Sequence, residues 1–346
     1  MNELAEICKT LKIDFSPKIK DTTKPVRYWS EQDVLDEKVV DAFVIILRTR
    51  GCSWALNSGC TMCGYFNDSI WGNVSADDLY TQFDKVVNHY NGEKVVKIFT
   101  SGSFLDEQEV KPTLRKKILQ RLAETADKIS IESRPEYISN EKLKRMKSVL
   151  PSTTLEISIG LETWNDNVRS QAINKGFTFN DYKNAVELVK KNNCKLKTYV
   201  LIKPPFLTEK ESLEDCLTTI DKIKEYTDTI SFNPTNVQRR TLVEYLWKRR
   251  QYRPAWLWTI IEILKASKQK APLVNSKCDI IGAGSHRGAH NCGKCDQSFI
   301  ESIKVFSISQ KLSVFNDLQC SCKETWLDHL DIEHLGFGSL TDISRF

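Results

Sequence analysis

The segment that decides the fold reads Phe43-Val-Ile-Ile-Leu47, followed by Arg50-Gly-Cys52-Ser-Trp-Ala-Leu-Asn-Ser-Gly-Cys60-Thr-Met-Cys63-Gly-Tyr65. The apolar run predicts a buried strand that is followed directly by a glycine-flanked loop. Thiolates hold 4Fe–4S clusters, normally four to a cluster, so three cysteines would leave one iron open to a further ligand. A zinc knuckle would need a fourth ligand nearby. A cluster of buried, reduced thiols would explain neither the strand nor the loop, so we favour the iron–sulfur interpretation.

The composition is that of an ordinary globular protein that binds metal. Of the 346 residues, 40% are apolar and 27% are charged, as in chains with a sizeable core. Eleven cysteines, with no basic and apolar leader at the N-terminus, favour metal binding in a reducing compartment over disulfides. No segment approaches the run of about 18 apolar residues that spans a membrane. We therefore expect a soluble, cytoplasmic protein that does not engage the membrane.

Short β-rich runs alternate with amphipathic segments. The predicted strands are Phe43–Arg48, Val95–Thr100, Lys128–Glu132, Leu155–Gly160, Leu196–Ile202 and Thr229–Asn233. The predicted helices between them are Ala76–His89, Lys111–Thr125, Asn140–Val149, Asp166–Lys175, Phe179–Asn192 and Glu209–Tyr226. This alternation specifies a parallel sheet. The sequence thus predicts an α/β fold, a partial (β/α)6 barrel whose working face lies at the C-terminal ends of the strands.

Three regions are predicted along the chain. Residues 1–40 form a polar, helix-containing lead-in, residues 41–235 form the barrel, and residues 236–346 form a C-terminal extension rich in cysteine and histidine. The strand–helix alternation is expected to stop near Pro234. An apolar helix, Trp256–Ala266, then leads into the cysteine-rich part.

Polar residues follow the second and third predicted strands. Ser101, Gly102 and Ser103 come directly after the second strand, and glycine there lets the backbone approach a ligand closely. Glu132 ends the third strand. Arg134 precedes a proline, which excludes helical backbone and suits a loop that points side chains into the barrel mouth. Glu132 and Arg134 are candidates for holding a ligand, and an ion pair that caps the barrel is the alternative.

The fourth and fifth predicted strands also carry charged residues. Glu156 and Glu162 have the strand parity of inward-facing residues. Buried carboxylates are costly unless paired, so we expect a ligand or an arginine partner. Lys203 follows the fifth strand at the mouth, where it is a candidate for binding an anion.

A second group of cysteines lies in the C-terminal extension and comprises Cys292, Cys295, Cys320 and Cys322. Cys-x2-Cys followed by Cys-x-Cys is the spacing of a structural zinc site. An auxiliary iron–sulfur cluster uses the same ligands, but we favour zinc because the barrel already has a redox cluster. Cys278, His286 and His290 are further candidate ligands. Alternatively, the histidines contact substrate or phosphate, or are ordinary loop residues.

Basic residues are concentrated between positions 239 and 253. They are Arg239, Arg240, Lys248, Arg249, Arg250 and Arg253. Aromatic residues separate them, and Glu244 is the single acid in the segment. A basic, aromatic-rich face is the electrostatic footprint of nucleic acid, whereas a solvated helix face normally mixes the two signs. Docking of a partner protein is the alternative.

Together these motifs resemble the archaeosine biosynthesis radical SAM proteins, which are similar to the Elongator catalytic subunit. The resemblance covers most of the chain. Its general motifs are the cysteine loop, with C-x7-C-x2-C in place of the commoner C-x3-C-x2-C, Thr100-Ser-Gly-Ser-Phe-Leu-Asp106 and Glu132-Ser-Arg-Pro-Glu136. Its family-specific motifs are Phe232-Asn-Pro-Thr-Asn-Val-Gln238, Tyr252-Arg-Pro-Ala-Trp-Leu-Trp258 and His286-Arg-Gly-Ala-His-Asn-Cys292.

The resemblance implies an enzyme that modifies the D-loop of archaeal tRNA. It implies that Cys52, Cys60 and Cys63 hold a 4Fe–4S cluster to which S-adenosylmethionine (SAM) binds, and that the reduced cluster splits SAM to a 5′-deoxyadenosyl radical. The implied cofactor-binding residues are Met62, Tyr65, Ser101, Gly102, Ser103, Glu132 and Arg134. The expected catalytic residues are Glu132, Glu162 and Lys203.

The same resemblance implies a partner and a reaction. A partner of the ArcS type attaches lysine to a 7-cyano-7-deazaguanine base. The radical enzyme then cleaves a carbon–nitrogen bond of that lysine, which leaves archaeosine. Two alternatives remain: another Elongator-like radical SAM enzyme acting on tRNA, or a non-enzymatic, zinc-bound RNA-binding protein.

Overall fold

The computed structural model describes residues 3–13 and 20–336, in which eight strands form one sheet. The strands lie side by side in sequence order and are β1 (Arg27–Leu35), β2 (Lys38–Ile46), β3 (Val95–Phe99), β4 (Lys128–Glu132), β5 (Thr154–Glu162), β6 (Lys195–Ile202), β7 (Thr229–Pro234) and β8 (Asn275–Cys278). Strands β1 and β2 form an antiparallel hairpin. Its turn residues, Asp36 and Glu37, both have the positive φ of a tight two-residue turn. All later neighbours pair in parallel.

Helices cover the outer face of the sheet and extend beyond it. They are α1 (Glu3–Ile13), α2 (Ser53–Asn57), α3 (Ala76–Val87), α4 (Pro112–Leu122), α5 (Asn140–Lys147), α6 (Asp166–Val168, continued by a π-helix at Arg169–Ile173), α7 (Phe179–Lys191), α8 (Glu209–Ile223), α9 (Leu242–Lys248), α10 (Leu257–Lys270), α11 (Asp296–Ser309) and α12 (Cys322–Gly336). A large apolar core packs between strands and helices. Across residues 3–13 and 20–336, no helix has the length and apolar character needed to cross a membrane.

The α/β barrel fold is confirmed, and the six predicted strands are β2 to β7. Strands β1 and β8 were not predicted, so the expectation that the alternation stops near Pro234 is wrong: helix α10 is followed by β8, which pairs with β7. The boundaries at residues 40 and 235 stay predictions, although the sheet draws strands from all three predicted regions. The predicted helix Asp166–Lys175 is a short α-helix that continues as a π-helix.

The inner face of the sheet carries charged side chains. Ion pairs between them link the two edges of the sheet. Lys97 on β3 pairs with Glu31 and Asp33 on β1, at 2.6 Å in each case. Lys277 on β8 pairs with the same Asp33. Because β1 and β8 are opposite edges of the sheet, this pairing requires the sheet to curl until its edges meet. The barrel is therefore closed at this level by side chains.

Glu156 on β5 is the other buried carboxylate of this interior. Its partners are Lys197, at 2.8 Å, and Lys128, at 3.7 Å, so the predicted ligand or arginine is replaced by two lysines. Burial acts to raise the pKa of Glu156, but the two ammonium groups hold it down at about 2. The carboxylate therefore contributes stability above its unfolded pKa, and this contribution is lost as the pH falls towards 2.

Replacing Glu156 with glutamine should lower the free energy of unfolding by about 3–5 kcal/mol, because Lys197 would stay buried without a counter-charge. Urea denaturation at neutral pH measures this. Glu141→Gln is the matched control, since Glu141 forms an exposed ion pair with Arg145 on α5 and should change stability little. Equal stabilities of the two variants would contradict the assignment of a stabilising buried pair.

Candidate active site

The cysteine loop follows β2 at the C-terminal edge of the sheet. Helix α2 occupies most of the wide gap between Cys52 and Cys60, so five of the seven intervening residues are helical and only Ser58 and Gly59 are not. The backbone N–H of Leu56 donates to the carbonyl of Cys52 at 3.0 Å. The departure from the common spacing therefore has a simple structural form: one extra helical turn between the first and second cysteines.

Two side chains from distant parts of the chain hold this loop. Lys12 on α1 is buried, and its ammonium donates to the carbonyls of Ala55, at 2.8 Å, and Ser58. Asn174 donates through Nδ2 to the Ser58 hydroxyl and to the Gly59 carbonyl, at 2.7 Å each. Gly59 has a φ of +95°, and a Cβ there would lie 2.4 Å from the Lys12 Nζ. Position 59 therefore favours glycine, because the backbone has a positive φ and because a side chain would meet Lys12.

The sulfur atoms of Cys52, Cys60 and Cys63 are not all close enough to one another to bind a single ion. They do not form one of the described groups whose ligand atoms all lie within 4.8 Å of one another. A single ion would require that closeness, whereas a 4Fe–4S cluster binds each thiolate at a different iron. Burial raises the pKa of Cys52, Cys60 and Cys63, and the charges of Lys175 and Arg134 act in the opposite direction on Cys60. The residues present thus fit an anionic cluster beside two cations.

The loop after β3 touches the first cysteine. A Cβ on Gly102 would lie 2.6 Å from the Cα of Cys52, so only glycine permits this approach. The backbone N–H of Ser103 donates to Glu109 at 2.5 Å, and its hydroxyl accepts from the backbone N–H of Arg134 at 3.0 Å. Burial raises the pKa of Glu109 to about 7. The turn of Ser101, Gly102 and Ser103 therefore lies beside the cysteine loop, and its predicted contact with a ligand stays a prediction.

Charged groups from β4, β5 and β6 meet at the mouth. Glu132 is half-buried beside the Tyr199 hydroxyl, and loss of solvent around its carboxyl group raises its pKa to about 7. Glu162 pairs with Lys175 at 2.6 Å. A Cβ on Gly160 would lie 2.8 Å from both of those charged groups, so glycine leaves room for the pair.

Arg134 is fixed by aromatic rings. Its guanidinium lies 5.3 Å from the ring centre of Trp54 on α2 and 5.4 Å from that of Phe177, and it pairs with Glu136. Trp54 in turn fills the space above Gly176, where a Cβ would be 2.5 Å from the ring. The helical turn in the cysteine loop thus positions a cation as well as two thiols.

The predicted site residues Met62, Tyr65 and Lys203 lie in three different environments. Met62 packs between two small apolar clusters, one formed by the α6 segment and the other around Val237. Tyr65 is 53% exposed and lines a cavity. Lys203 is buried, and its ammonium pairs with Glu333 on α12 at 2.9 Å and with Glu209 at 3.6 Å. An anion at Lys203 would have to displace these carboxylates, so its contacts do not favour the anion-binding role.

The basic segment 239–253 is divided by the fold. Arg239 and Arg240 precede α9, and Lys248, Arg249 and Arg250 are exposed at its end. Arg253 differs: its guanidinium stacks 3.9 Å from the ring centre of Trp256 and donates to the carbonyls of Pro254 and His290. Arg253 is thus held within the extension, apart from the exposed basic residues.

The four C-terminal cysteines converge. Their sulfur atoms all lie within 4.8 Å of one another, with distances of 3.8 Å between Cys292 and Cys295, 3.7 Å between Cys292 and Cys320, and 3.7 Å between Cys295 and Cys322. Four thiolates around one zinc ion, at about 2.3 Å each, would be about 3.8 Å apart in a tetrahedron. This spacing fits one ion and is too close for a cluster that binds each thiolate at a separate iron.

Hydrogen-bond donors lie beside these sulfurs. Trp258 donates to Cys322 at 3.4 Å and Asn291 donates to Cys295 at 3.5 Å. Burial opposes ionisation of Cys292, but backbone N–H groups lower its pKa to about 7. The other candidate ligands, Cys278, His286 and His290, are not part of this group among the described residues. His290 instead contacts the Gly288 carbonyl through Nδ1 at 2.8 Å.

Four residues beside the mouth were missed in the sequence: Lys12, Glu109, Lys175 and Tyr199. Tyr199 has the same strand parity as Lys197 on β6, so the parity argument used for Glu156 and Glu162 would have found it. Lys175 ends the predicted helix Asp166–Lys175, whose pattern gives no sign of a pairing with Glu162. Lys12 and Glu109 give no local signal, because their partners are distant in the chain or lie in irregular loops.

Comparisons with known proteins identify the family of the chain. Residues 46–217 match the family model described as the Radical SAM superfamily. The chain is 41% identical to archaeosine synthase subunit beta of Methanosarcina acetivorans, covering 96% of each chain. It is 40% identical to the protein of the same name from Thermococcus kodakarensis, covering 86% of this chain and 94% of that one.

A solved structure shows the same fold. The N-terminally truncated Elp3 of Methanocaldococcus infernus superposes with a TM-score of 0.50 at 18% identity, over 64% of this chain and 58% of that one. With the cysteine loop on β2, the glycine contact on Cys52 and the full-length match to two curated relatives, the assignment is clear. The chain belongs to the archaeosine synthase subunit beta family of radical SAM proteins.

Proposed function

We propose that this protein cleaves a carbon–nitrogen bond of a lysine carried by 7-cyano-7-deazaguanine in tRNA, leaving archaeosine. The observation that carries the proposal is the cysteine loop itself: three half-buried thiols, not all close enough to one another to bind a single ion, held beside the Gly102 loop. The name of the two curated relatives supports archaeosine as the product. An unactivated alkyl C–N bond resists acids and bases, so the reaction calls for a cofactor that carries the hard chemistry.

Cys52, Cys60 and Cys63 are the proposed ligands of a 4Fe–4S cluster, and Ser101 to Ser103, Arg134, Met62 and Tyr65 are proposed to hold SAM. When bound, the cluster supplies the electron that releases a 5′-deoxyadenosyl radical from SAM. Arg134 suits a carboxylate ligand, because the rings of Trp54 and Phe177 fix its guanidinium in one orientation.

Glu132 and Glu162 are proposed to face the substrate. A carboxyl group with a pKa near 7 can accept or deliver a proton at neutral pH. Glu132 is therefore proposed to exchange a proton with the nitrogen freed by bond cleavage. Glu162 forms an ion pair with Lys175 and is proposed to orient the lysyl arm. Lys203, bound to Glu209 and Glu333, is proposed to hold α12 against the mouth.

The C-terminal cysteines are proposed to bind structural zinc, on the basis of their sulfur spacing. The metal would anchor the start of α12, whose far end carries Glu333. We further propose an ArcS-type lysine transferase as the partner, since the relatives are named as subunits. The exposed members of the basic segment, on both sides of α9, are proposed to contact tRNA.

Anaerobic reconstitution with iron and sulfide tests the function. With SAM, a reductant and tRNA carrying the lysine-modified base, the protein should release 5′-deoxyadenosine and form archaeosine, both measured by mass spectrometry of digested samples. Omission of the lysine from the base is the matched control and should leave the nucleoside unchanged. SAM cleavage without archaeosine would point to another Elongator-like reaction. A colourless protein that binds RNA and never cleaves SAM would point to the non-enzymatic zinc protein.

A further inference from the structure

A basic cavity of about 690 Å³ opens beside the cysteine loop. The residues that define it here are Lys20, Tyr65, Gln238, Arg239, Arg240 and Arg287. Its two walls are the turn that starts at Tyr65, directly after the third cysteine, and the loop between β7 and α9. Gln238 accepts a hydrogen bond from the backbone N–H of Gly64, and a Cβ on Gly64 would lie 2.7 Å from that of Gln238. The basic cavity is therefore continuous with the loop that is proposed to carry the cluster.

Four of the residues that line the basic cavity are cationic, whereas Asp68 is the single acid in its lining. Arg239 and Arg240 are exposed. Lys20 approaches from before β1 and donates to the carbonyl of Asn67. Such an excess of positive charge in a concave site attracts a polyanion.

The arginines are held in place before any ligand binds. Glu244, near the start of α9, accepts from the backbone N–H of Arg240 at 2.9 Å and from Nη2 of Arg287 at 2.7 Å. The Arg287 guanidinium also lies 4.8 Å from the ring centre of Trp247. Even so, 39% of the Arg287 side chain remains exposed. Its Nε also donates to the Val237 carbonyl at 3.0 Å, which fixes the group, and the accessible part of the guanidinium can bind a phosphate oxygen through a charge-assisted hydrogen bond.

We propose that the basic cavity binds the phosphodiester backbone of the RNA substrate next to the target nucleotide. The inference rests on the proposed function and adds the place where the RNA is held. Position favours RNA over a partner protein, because an occupant at Tyr65 stands at the entrance to the cysteine loop, where the substrate must pass. The exposed ring of Tyr65 supplies a surface on which a base displaced from the RNA stack can lie.

Titration of tRNA binding against salt tests this placement. The variants are Arg239→Ala/Arg240→Ala and a matched control, Lys144→Ala/Arg145→Ala, which removes the same charge from the exposed side of α5. Binding of a tRNA transcript is followed by fluorescence anisotropy from about 50 to 200 mM salt. The cavity variant should bind at least about tenfold more weakly, and its slope of log affinity against log salt should fall by about two, since each phosphate contact contributes roughly 0.9. The control should match the wild type.

The remaining outcomes of this experiment distinguish failure of the inference from failure of the proposed function. Iron content and melting temperature equal to those of the wild type show that a weakened variant is folded. If the wild type binds tRNA and the two double variants behave alike, the basic cavity is not the RNA site, while the proposed function stands. If the wild type does not bind tRNA, the proposed function fails first. A cavity variant that binds tRNA normally but no longer co-purifies with the lysine transferase would overturn the inference in favour of a protein-docking site.

Discussion

Alanine at Cys52, Cys60 or Cys63 is expected to remove the iron–sulfur absorption of the reconstituted protein and to reduce 5′-deoxyadenosine release to background. The physical reason is that each thiol serves a different iron, so two remaining ligands cannot hold the cluster. Iron and sulfide analysis, visible absorption and product analysis together measure the effect. Little cost in folding is expected, because the loop stays fixed by Lys12 and Asn174.

Cys194→Ala provides the matched control for this experiment. Cys194 is a buried thiol between α7 and β6, outside the cysteine loop. The variant should keep its iron, its colour and its activity. If one of the three loop variants also kept full activity, that cysteine would leave the ligand set.

Removal of any of the four C-terminal cysteines is expected to cost the protein its second metal and much of its stability. Structural zinc sites supply about 10 kcal/mol or more of apparent binding free energy at neutral pH, and this free energy is coupled to folding. The loss should appear as a lower melting temperature and as zinc absent from metal analysis. It should extend to α12, which starts at Cys322 and whose Glu333 reaches Lys203 and the N-terminus of α8.

Metal identity is best measured in protein with alanines at all three loop cysteines. That protein should still contain about one zinc per chain. Iron and sulfide without zinc would establish an auxiliary cluster instead. Cys278→Ala is the control, since the structure leaves Cys278 outside the group of sulfurs, and this variant should retain the metal.

The strands that the sequence reveals are those with an apolar face packed against the helices. Strands β2 to β7 carry such apolar runs and were predicted, although β2 begins at Lys38, five residues before its predicted start. Strand β1 reads Arg-Tyr-Trp-Ser-Glu-Gln-Asp-Val-Leu and β8 reads Asn-Ser-Lys-Cys, and neither contains a comparable apolar run. Their inward residues include Asp33 and Lys277, which face a polar barrel interior. Hydrophobic periodicity detects a strand through its apolar residues, and these two strands have too few of them.

The candidate site was also only partly predictable from the sequence. Motifs that are local in the chain, such as the cysteine loop and the Ser-Gly-Ser turn, were predicted, and the structure brings them together. The partners of Glu156 and Glu162 were not, because Lys197 and Lys175 come from other strands and loops. For Lys203, the position at the mouth was predicted but the role was not supported. Its ammonium group forms an ion pair with the carboxylate of Glu333, which lies 130 residues later in the chain.

The ion pair between Asp33 and Lys277 also bears on how the chain is made. The two residues are 244 positions apart, so a ribosome that adds about 5–20 residues per second needs about 12–50 s between them. In that interval Lys97 is the cation available to the carboxylate of Asp33. Until β8 is synthesised, β7 presents an unpaired parallel edge, and such edges promote aggregation. Closure of the barrel is thus a late step in biosynthesis, and slower translation would prolong the period in which the edge of β7 is unpaired.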